Sequence, residues 1–240
     1  MRKLNIKNFK IRAASNLVIF LVLGGLFFAA FRSGAITAAG REQAYYRGNS
    51  DRPYVSLMVN VYEGREYVEK MMAVAEEYDV KLTFFIGGCF AKNQTDLIRS
   101  IYERGHELAN HGYFHRDPAK LSYKENFDEI VMTERLIEAI CNVKTSLFAP
   151  PSGSMGKEMF RASKELGYDV IMWSKDTIDW RDKDADLTFT RATKNMKNGD
   201  LVLMHPKPHT AEALPKILKF YKDNGFKVVT VSKNIGKTEI

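Results

Sequence analysis

Two histidines four positions apart, His111 and His115, follow the short apolar stretch Glu107–Ala109 and the Asn110 that ends it. Imidazoles with this spacing on one turn can close on a single divalent ion, zinc foremost, and leave coordination positions open for water. Such a pair is also common on ordinary surfaces, so its weight depends on what else the chain brings to the same place. Further polar groups occur in similar settings. Asn60 and Glu63 end a Val-rich run, Asp176 and Asp179 follow Ile171–Trp173, and His205 comes directly after Leu201–Met204.

The surrounding pattern says how these groups could meet. Tyr54–Val61 and Lys81–Ile86 have the composition of buried strands, and Glu66–Tyr78 has the apolar spacing of a helix. From there one unit recurs: an amphipathic helix, a glycine suited to the left-handed position past its end, then an apolar strand. It is found as Asp96–Arg104, Gly105 and His106–Ala109, as Lys157–Leu166, Gly167 and Tyr168–Trp173, and as Ala211–Asn224, Gly225 and Phe226–Val231. A long helix over Tyr123–Ile140, entered through the capping-box pattern Ser122–Glu125, and strands at Thr145–Phe148 and Leu201–Met204 complete the series. Alternation of this kind predicts an α/β fold with a parallel sheet and crossover helices. About seven or eight strands in so short a span predict a distorted barrel, closed or incomplete, because the phosphate-binding glycine loop of an open nucleotide-binding sheet is absent. In a parallel barrel the C-terminal ends of the strands share one mouth, and every polar group named above falls there.

Charge and hydropathy divide the chain. The formal net charge is +7, but residues 1–32 hold six basic side chains and no acidic ones, which leaves 30 Lys and Arg against 29 Asp and Glu in the rest. A nearly neutral body excludes a broad nucleic-acid-binding face, and no nucleotide cofactor is expected. Ala13–Phe31 is a run of 19 uncharged residues, long enough as a helix to span a hydrocarbon core of about 30 Å. Five basic residues precede it and one follows, so the positive-inside rule predicts a membrane anchor with residues 33–240 outside the cytoplasm. The competing expectation is secretion after cleavage near Ala35. Residues 33–52, with little hydrophobic periodicity, are expected to be a linker, and the folded domain is expected to span 53–240. Cys89 and Cys141 are read as small buried side chains, and His209 as a surface residue.

Over roughly Pro53–Val231 the sequence resembles the polysaccharide deacetylase family, the NodB-like enzymes that remove N-acetyl groups from chitin-like chains and peptidoglycan. Asn110–His115 is similar to the family's His-x-x-x-His metal motif, and Pro150-Pro151-Ser152-Gly153 to its groove loop. Asp176–Trp180 resembles its Asp-x-x-Asp-Trp motif and Leu201–His205 its Leu-x-Leu-x-His motif. The resemblance implies a divalent metal on His111 and His115, and His205 as the proton donor to the leaving amine, steered by Asp176. It further implies a groove for cell-wall glycan that includes Pro150, Pro151, Asp179 and Trp180. Peptidoglycan is expected over chitin because an anchored, outward-facing domain meets the wall first. The family's first motif, Thr-Phe-Asp-Asp-Gly, is replaced by Met58-Val59-Asn60-Val61-Tyr62-Glu63-Gly64. Anchoring on Gly64 gives Glu63 the ligand position and Tyr62 the base position; anchoring on the strand gives those places to Asn60 and Val61. The arginine that precedes Pro-Pro in the family is Ala149. The implied activity is hydrolysis of non-peptide C–N bonds in N-acetylated glycan, with a glycan-binding pseudoenzyme as the alternative.

Overall fold

The computed structural model describes residues 43–237. The expected membrane anchor lies outside the described residues, and no helix among the described residues is long and apolar enough to cross a membrane. Strands and helices alternate: β1 (Ala44–Tyr45), β2 (Tyr54–Val61), α1 (Arg65–Glu77), β3 (Thr83–Ile86), α2 (Gly88–Lys92), α3 (Thr95–Glu103), β4 (Glu107–Asn110) and α4 (Tyr123–Cys141). The series continues with β5 (Leu147–Phe148), α5 (Lys157–Glu165), β6 (Asp169–Ile171), β7 (Lys175–Asp176), α6 (Ala185–Thr193), β8 (Asp200–Met204), α7 (Pro208–Asp223), β9 (Lys227–Val228) and α8 (Val231–Ile235).

All strand pairs are parallel, and the sheet order is β1-β6-β5-β4-β3-β2-β8-β7, with β9 added beside the start of β2. This is the distorted, incomplete barrel that the alternation predicts. Period-two alternation decides what each strand residue faces. In β2, Val55, Leu57, Val59 and Val61 point outward into a layer shared with Val68 and Met71 of α1 and with Leu214 and Ile217 of α7. Met58 points inward, where it packs with Phe85, Ala109, Leu201 and Leu203. Both faces of β2 are therefore covered, which is why the strand reads as a nearly continuous apolar run.

The expected linker is corrected by the structure. Ala44–Tyr45 pairs with Val170–Ile171 of β6, Arg47 forms an ion pair with the fully buried Asp200 at the start of β8, and the Gly48 amide donates to the Gly199 carbonyl at 2.7 Å. Residues 44–49 are thus part of the folded unit, which does not wait until Pro53, and the rest of the expected linker before residue 43 lies outside the described residues. The cysteines are also corrected: both are free, Cys89 is exposed and Cys141 half-buried.

Candidate active site

Strand register carries the functional groups to one level. Val61 is opposite Ile86, Ile86 is opposite Asn110, and Asn110 is opposite Phe148. The residues just past those ends, Tyr62, Gly87, His111 and Ala149, therefore form one rim. Met204 of β8 pairs with Val59, so the next step brings His205 to the height of Asn60. On β7, Asp176 pairs with Leu203. The result is a cavity of about 260 Å³ lined by Asn60, Tyr62, His111, His115, Asp176 and His205, with Ser152, Gly153, Trp173 and Trp180 forming its other walls.

His111 is almost fully buried, and its Nδ1–H donates to the Ala149 carbonyl at 2.7 Å, which leaves Nε2 with its lone pair. Burial, with the neighbouring His115 adding to it, pushes its pKa down to about 3, so the ring is neutral. His115 is half-buried and likewise lowered, chiefly by desolvation. The two ring centroids are 5.0 Å apart. His115 sits in the left-handed region at φ 57°, a conformation that costs energy unless its surroundings hold it. Buried Glu129 on α4 does so: its carboxylate accepts from the amides of Tyr113 at 2.7 Å and Phe114 at 2.8 Å, and from Arg116 Nε at 2.6 Å. Sequence reasoning missed Glu129, since nothing in an amphipathic helix marks which glutamate turns inward.

His205 is nearly buried, and its Nδ1–H donates to Asp179 Oδ1 at 2.8 Å while its amide donates to Asp179 Oδ2 at 2.7 Å. Burial opposes the charge on Asp179, but the hydrogen bonds and field of His205 and the Thr210 hydroxyl prevail and leave its carboxyl below the usual range. The steering role expected of Asp176 therefore belongs to Asp179. Asp176 instead accepts from the Ile178 amide at 2.8 Å, shaping the turn that carries Asp179. His209 is corrected as well: it is buried, and its Nε2–H donates to the Asp179 carbonyl at 2.8 Å.

Glu63 does not join the histidines. Gly64 turns the chain at φ 81°, where a Cβ would collide with the Pro206 carbonyl oxygen, and Glu63 is directed outward into an ion pair with Lys207. It lines another cavity, of about 500 Å³, to whose wall Trp180 also contributes. The ring of Tyr62 lies among the imidazoles, its centroid 4.5 Å from that of His115, 6.1 Å from His205 and 6.3 Å from His111. Asn60, on the same cavity, is buried, and its Oδ1 has no hydrogen-bond partner. Pro150 and Pro151 are buried and shape the groove loop, whose Ser152 and Gly153 line the cavity. Trp180 stands about half exposed at the rim.

These residues fit a divalent transition metal through neutral donors, two uncharged imidazoles of which one is oriented by a backbone carbonyl, on a cavity that Asn60 also lines. Among the described residues, no cluster of three or more His, Cys, Asp or Glu is placed to hold a metal, and Glu63, the carboxylate expected there, is turned to Lys207.

Residues 47–171 match the family model described as polysaccharide deacetylase. The chain is 37% identical over 195 residues to the uncharacterized protein YlxY of Bacillus subtilis, covering 81% of this chain and 61% of that protein's length. It is 26% identical over 191 residues to a peptidoglycan-N-acetylglucosamine deacetylase of Bacillus cereus, covering 78% and 70% of the two chains. Its structure superposes with a TM-score of 0.80 on BA3943 of Bacillus anthracis, described as a CE4 family pseudoenzyme, at 33% identity and with 84% and 72% of the two chains covered. A mutant of that protein is described as having restored enzymatic activity. With the rim of histidines, the His205–Asp179 pair and the parallel half-closed sheet, these matches establish that the chain belongs to the polysaccharide deacetylase family.

Proposed function

We propose that the domain hydrolyses N-acetyl amide bonds of cell-wall glycan, peptidoglycan foremost, as a metal-dependent deacetylase of reduced rate. One observation carries this reading: His205, held by a buried carboxylate, opens on the same cavity as the neutral pair His111 and His115. A divalent metal, zinc foremost, supplies Lewis-acid polarisation of the acetamide carbonyl when held by His111 and His115. The protein's own part is to seat the acetamide against Tyr62 and Trp173 with a sugar ring at Trp180, and to deliver a proton from His205 to the departing amine. Water adds its oxygen to the carbonyl carbon, the proton it sheds passes by way of His205 Nε2 to the nitrogen, the C–N bond breaks, and acetate and a free amine result. Asn60 stands where a base would be needed and cannot take a proton, an omission that typically costs about 10²–10⁴ in rate.

The neutral donor set favours a second reading, a glycan-binding pseudoenzyme that keeps the groove without turnover. Acetate release by the full-length chain from N-acetylglucosamine oligomers and from peptidoglycan, with and without added zinc, separates the two. Metal-dependent release that is lost in His205→Ala supports hydrolysis. Saturable glycan binding with no acetate under any metal establishes the second reading instead.

The same proposal places the domain outside the cytoplasm, tethered through Ala13–Phe31, on the strength of the charges that flank that run. Protease added to intact protoplasts should remove the domain, and full protection would sink this placement.

A further inference from the structure

We propose that His209 and Thr210, in the first turn of α7, are positioning residues for His205 that act through Asp179. The Asp179 carboxylate divides its acceptors. Oδ1 takes the imidazole Nδ1–H at 2.8 Å, whereas Oδ2 takes both the His205 amide at 2.7 Å and the Thr210 hydroxyl at 2.7 Å. Asp179, Thr210 and His205 are all buried, so no bulk solvent competes for these bonds. With Oδ2 engaged twice, the carboxylate cannot rotate without breaking two bonds in a place of low polarity. Its orientation toward the imidazole is thereby fixed, and the ring is held with its proton on Nδ1 and with Nε2 toward the cavity.

The main chain at Asp179 needs the same restraint. It leaves Ile178 at φ 54°, a left-handed conformation that is costly for a β-branched residue. The Asp176 carboxylate grips the Ile178 amide, Arg191 donates to the Thr177 carbonyl at 3.0 Å, and His209 Nε2–H grips the Asp179 carbonyl at 2.8 Å. His209 therefore sets where the Asp179 backbone stands, and Thr210 sets how its side chain is turned. Pro208, at the start of the helix, gives the turn its preset φ.

The effect on rate rests on the hydrolytic reading above, while the effect on the His205 ring does not. The test is nitrogen NMR of the full-length chain labelled with ¹⁵N on histidine, comparing wild type with Thr210→Val, Thr210→Ser and His209→Leu. The wild type should show His205 in a single Nδ1–H tautomer with a slowly exchanging Nδ1 proton. Thr210→Val, close in volume and so able to fold, should give a mixed tautomer and a fast-exchanging proton, and Thr210→Ser should restore the wild-type signal. His209→Leu should weaken the same signal. If the protein releases acetate, Thr210→Val should lower kcat about threefold to tenfold with KM unchanged. A Thr210→Val spectrum in which the His205 tautomer and exchange rate match wild type overturns the proposal, whether or not acetate is released. A loss of Tm in that variant without a change in the His205 signal also overturns it, because that is the signature of a purely structural hydroxyl.

Discussion

The two ends of the barrel both bury polar groups, but they treat them differently. At the N-terminal end, Glu107 Oε2 accepts from the Thr83 hydroxyl at 2.6 Å and from the Ser232 amide, Asp200 is closed by Arg47, Ser174 and the Lys197 amide, and Asn234 donates to Ser56. At the C-terminal end, the His205–Asp179 pair and the His111–Ala149 bond are equally tight, yet His205 and His111 each bond through Nδ1 and present the rest of the ring to a cavity. The lower end spends most of its polar groups on closure, leaving only His106 Nε2 and Asn234 Oδ1 without a partner among the described side chains there, and the upper end holds its histidines so that one face of each remains available. A satisfied network specifies structure, whereas a half-presented one specifies a ligand.

Substitutions at the two ends should therefore separate function from stability. The largest expected effect is at the mouth. His205→Asn, whose side-chain amide can keep the bond to the buried Asp179 carboxylate, should reduce acetate release by about 10²–10⁴ with little change in Tm. At the opposite end, Asp200→Ala should leave any chemistry intact in the folded fraction but destabilise the domain by about 2–4 kcal/mol. It strands the Arg47 guanidinium and the amide of Lys197, and urea unfolding would measure the loss. Equal effects of both substitutions on stability would erase the contrast.

A smaller effect should sharpen it. If the mouth is limited by its missing carboxylate, Asn60→Asp should help little alone, since an unpaired acid lacks its orienting partner, and Ala149→Arg should help little alone for the mirror reason. The double variant should exceed the product of the singles by about tenfold in acetate release, roughly 1.4 kcal/mol of barrier. A parallel pair built on Tyr62→Asp should gain nothing if the strand-anchored alignment is the right one.

A last effect belongs to His106 at the lower end. Its burial, helped by the charges of Lys81 and Arg104, pushes the pKa down to about 4, and its Nδ1 accepts from the Leu82 amide. The fold keeps the ring neutral where the unfolded chain, near 6.5, takes up a proton. Stability should therefore fall as pH drops from about 6.5 to about 4 and change no further from this group below that. The slope is at most about 1.4 kcal/mol per pH unit. Denaturant titrations of wild type and His106→Asn should differ on that limb alone, and parallel curves would dismiss His106 as the cause.

Much of this contrast was legible in the sequence. The first two helix–glycine–strand units fell where they were read, because buried strands and amphipathic helices carry their own periods, and the residues at the strand ends were brought to one rim; in the third, the strand expected over Phe226–Val231 shrinks to Lys227–Val228 and Val231 opens α8. What escaped was decided by single turns. Glu63 read as a ligand because it precedes Gly64, but the left-handed glycine sends it to Lys207, a partner 144 positions away. Asp176 and Asp179 are alike in composition, and only the reversal at Ile178 decides which of them meets His205. Strands of two residues, such as β1 and β7, show no period at all. Ala44–Tyr45 is placed by what it pairs with, not by its own composition.

That short first strand determines how the domain can be cut. A chain begun at Pro53, the boundary that hydropathy suggests, would lose β1 and Arg47 together. The loss leaves Asp169–Ile171 as a bare edge with free backbone donors and acceptors beside exposed apolar side chains. An uncovered edge of this kind is a template for pairing with another molecule. Such a fragment should self-associate at concentrations where a chain begun at Glu42 stays monodisperse, and the eleven residues that look like slack are what keep the sheet from being sticky.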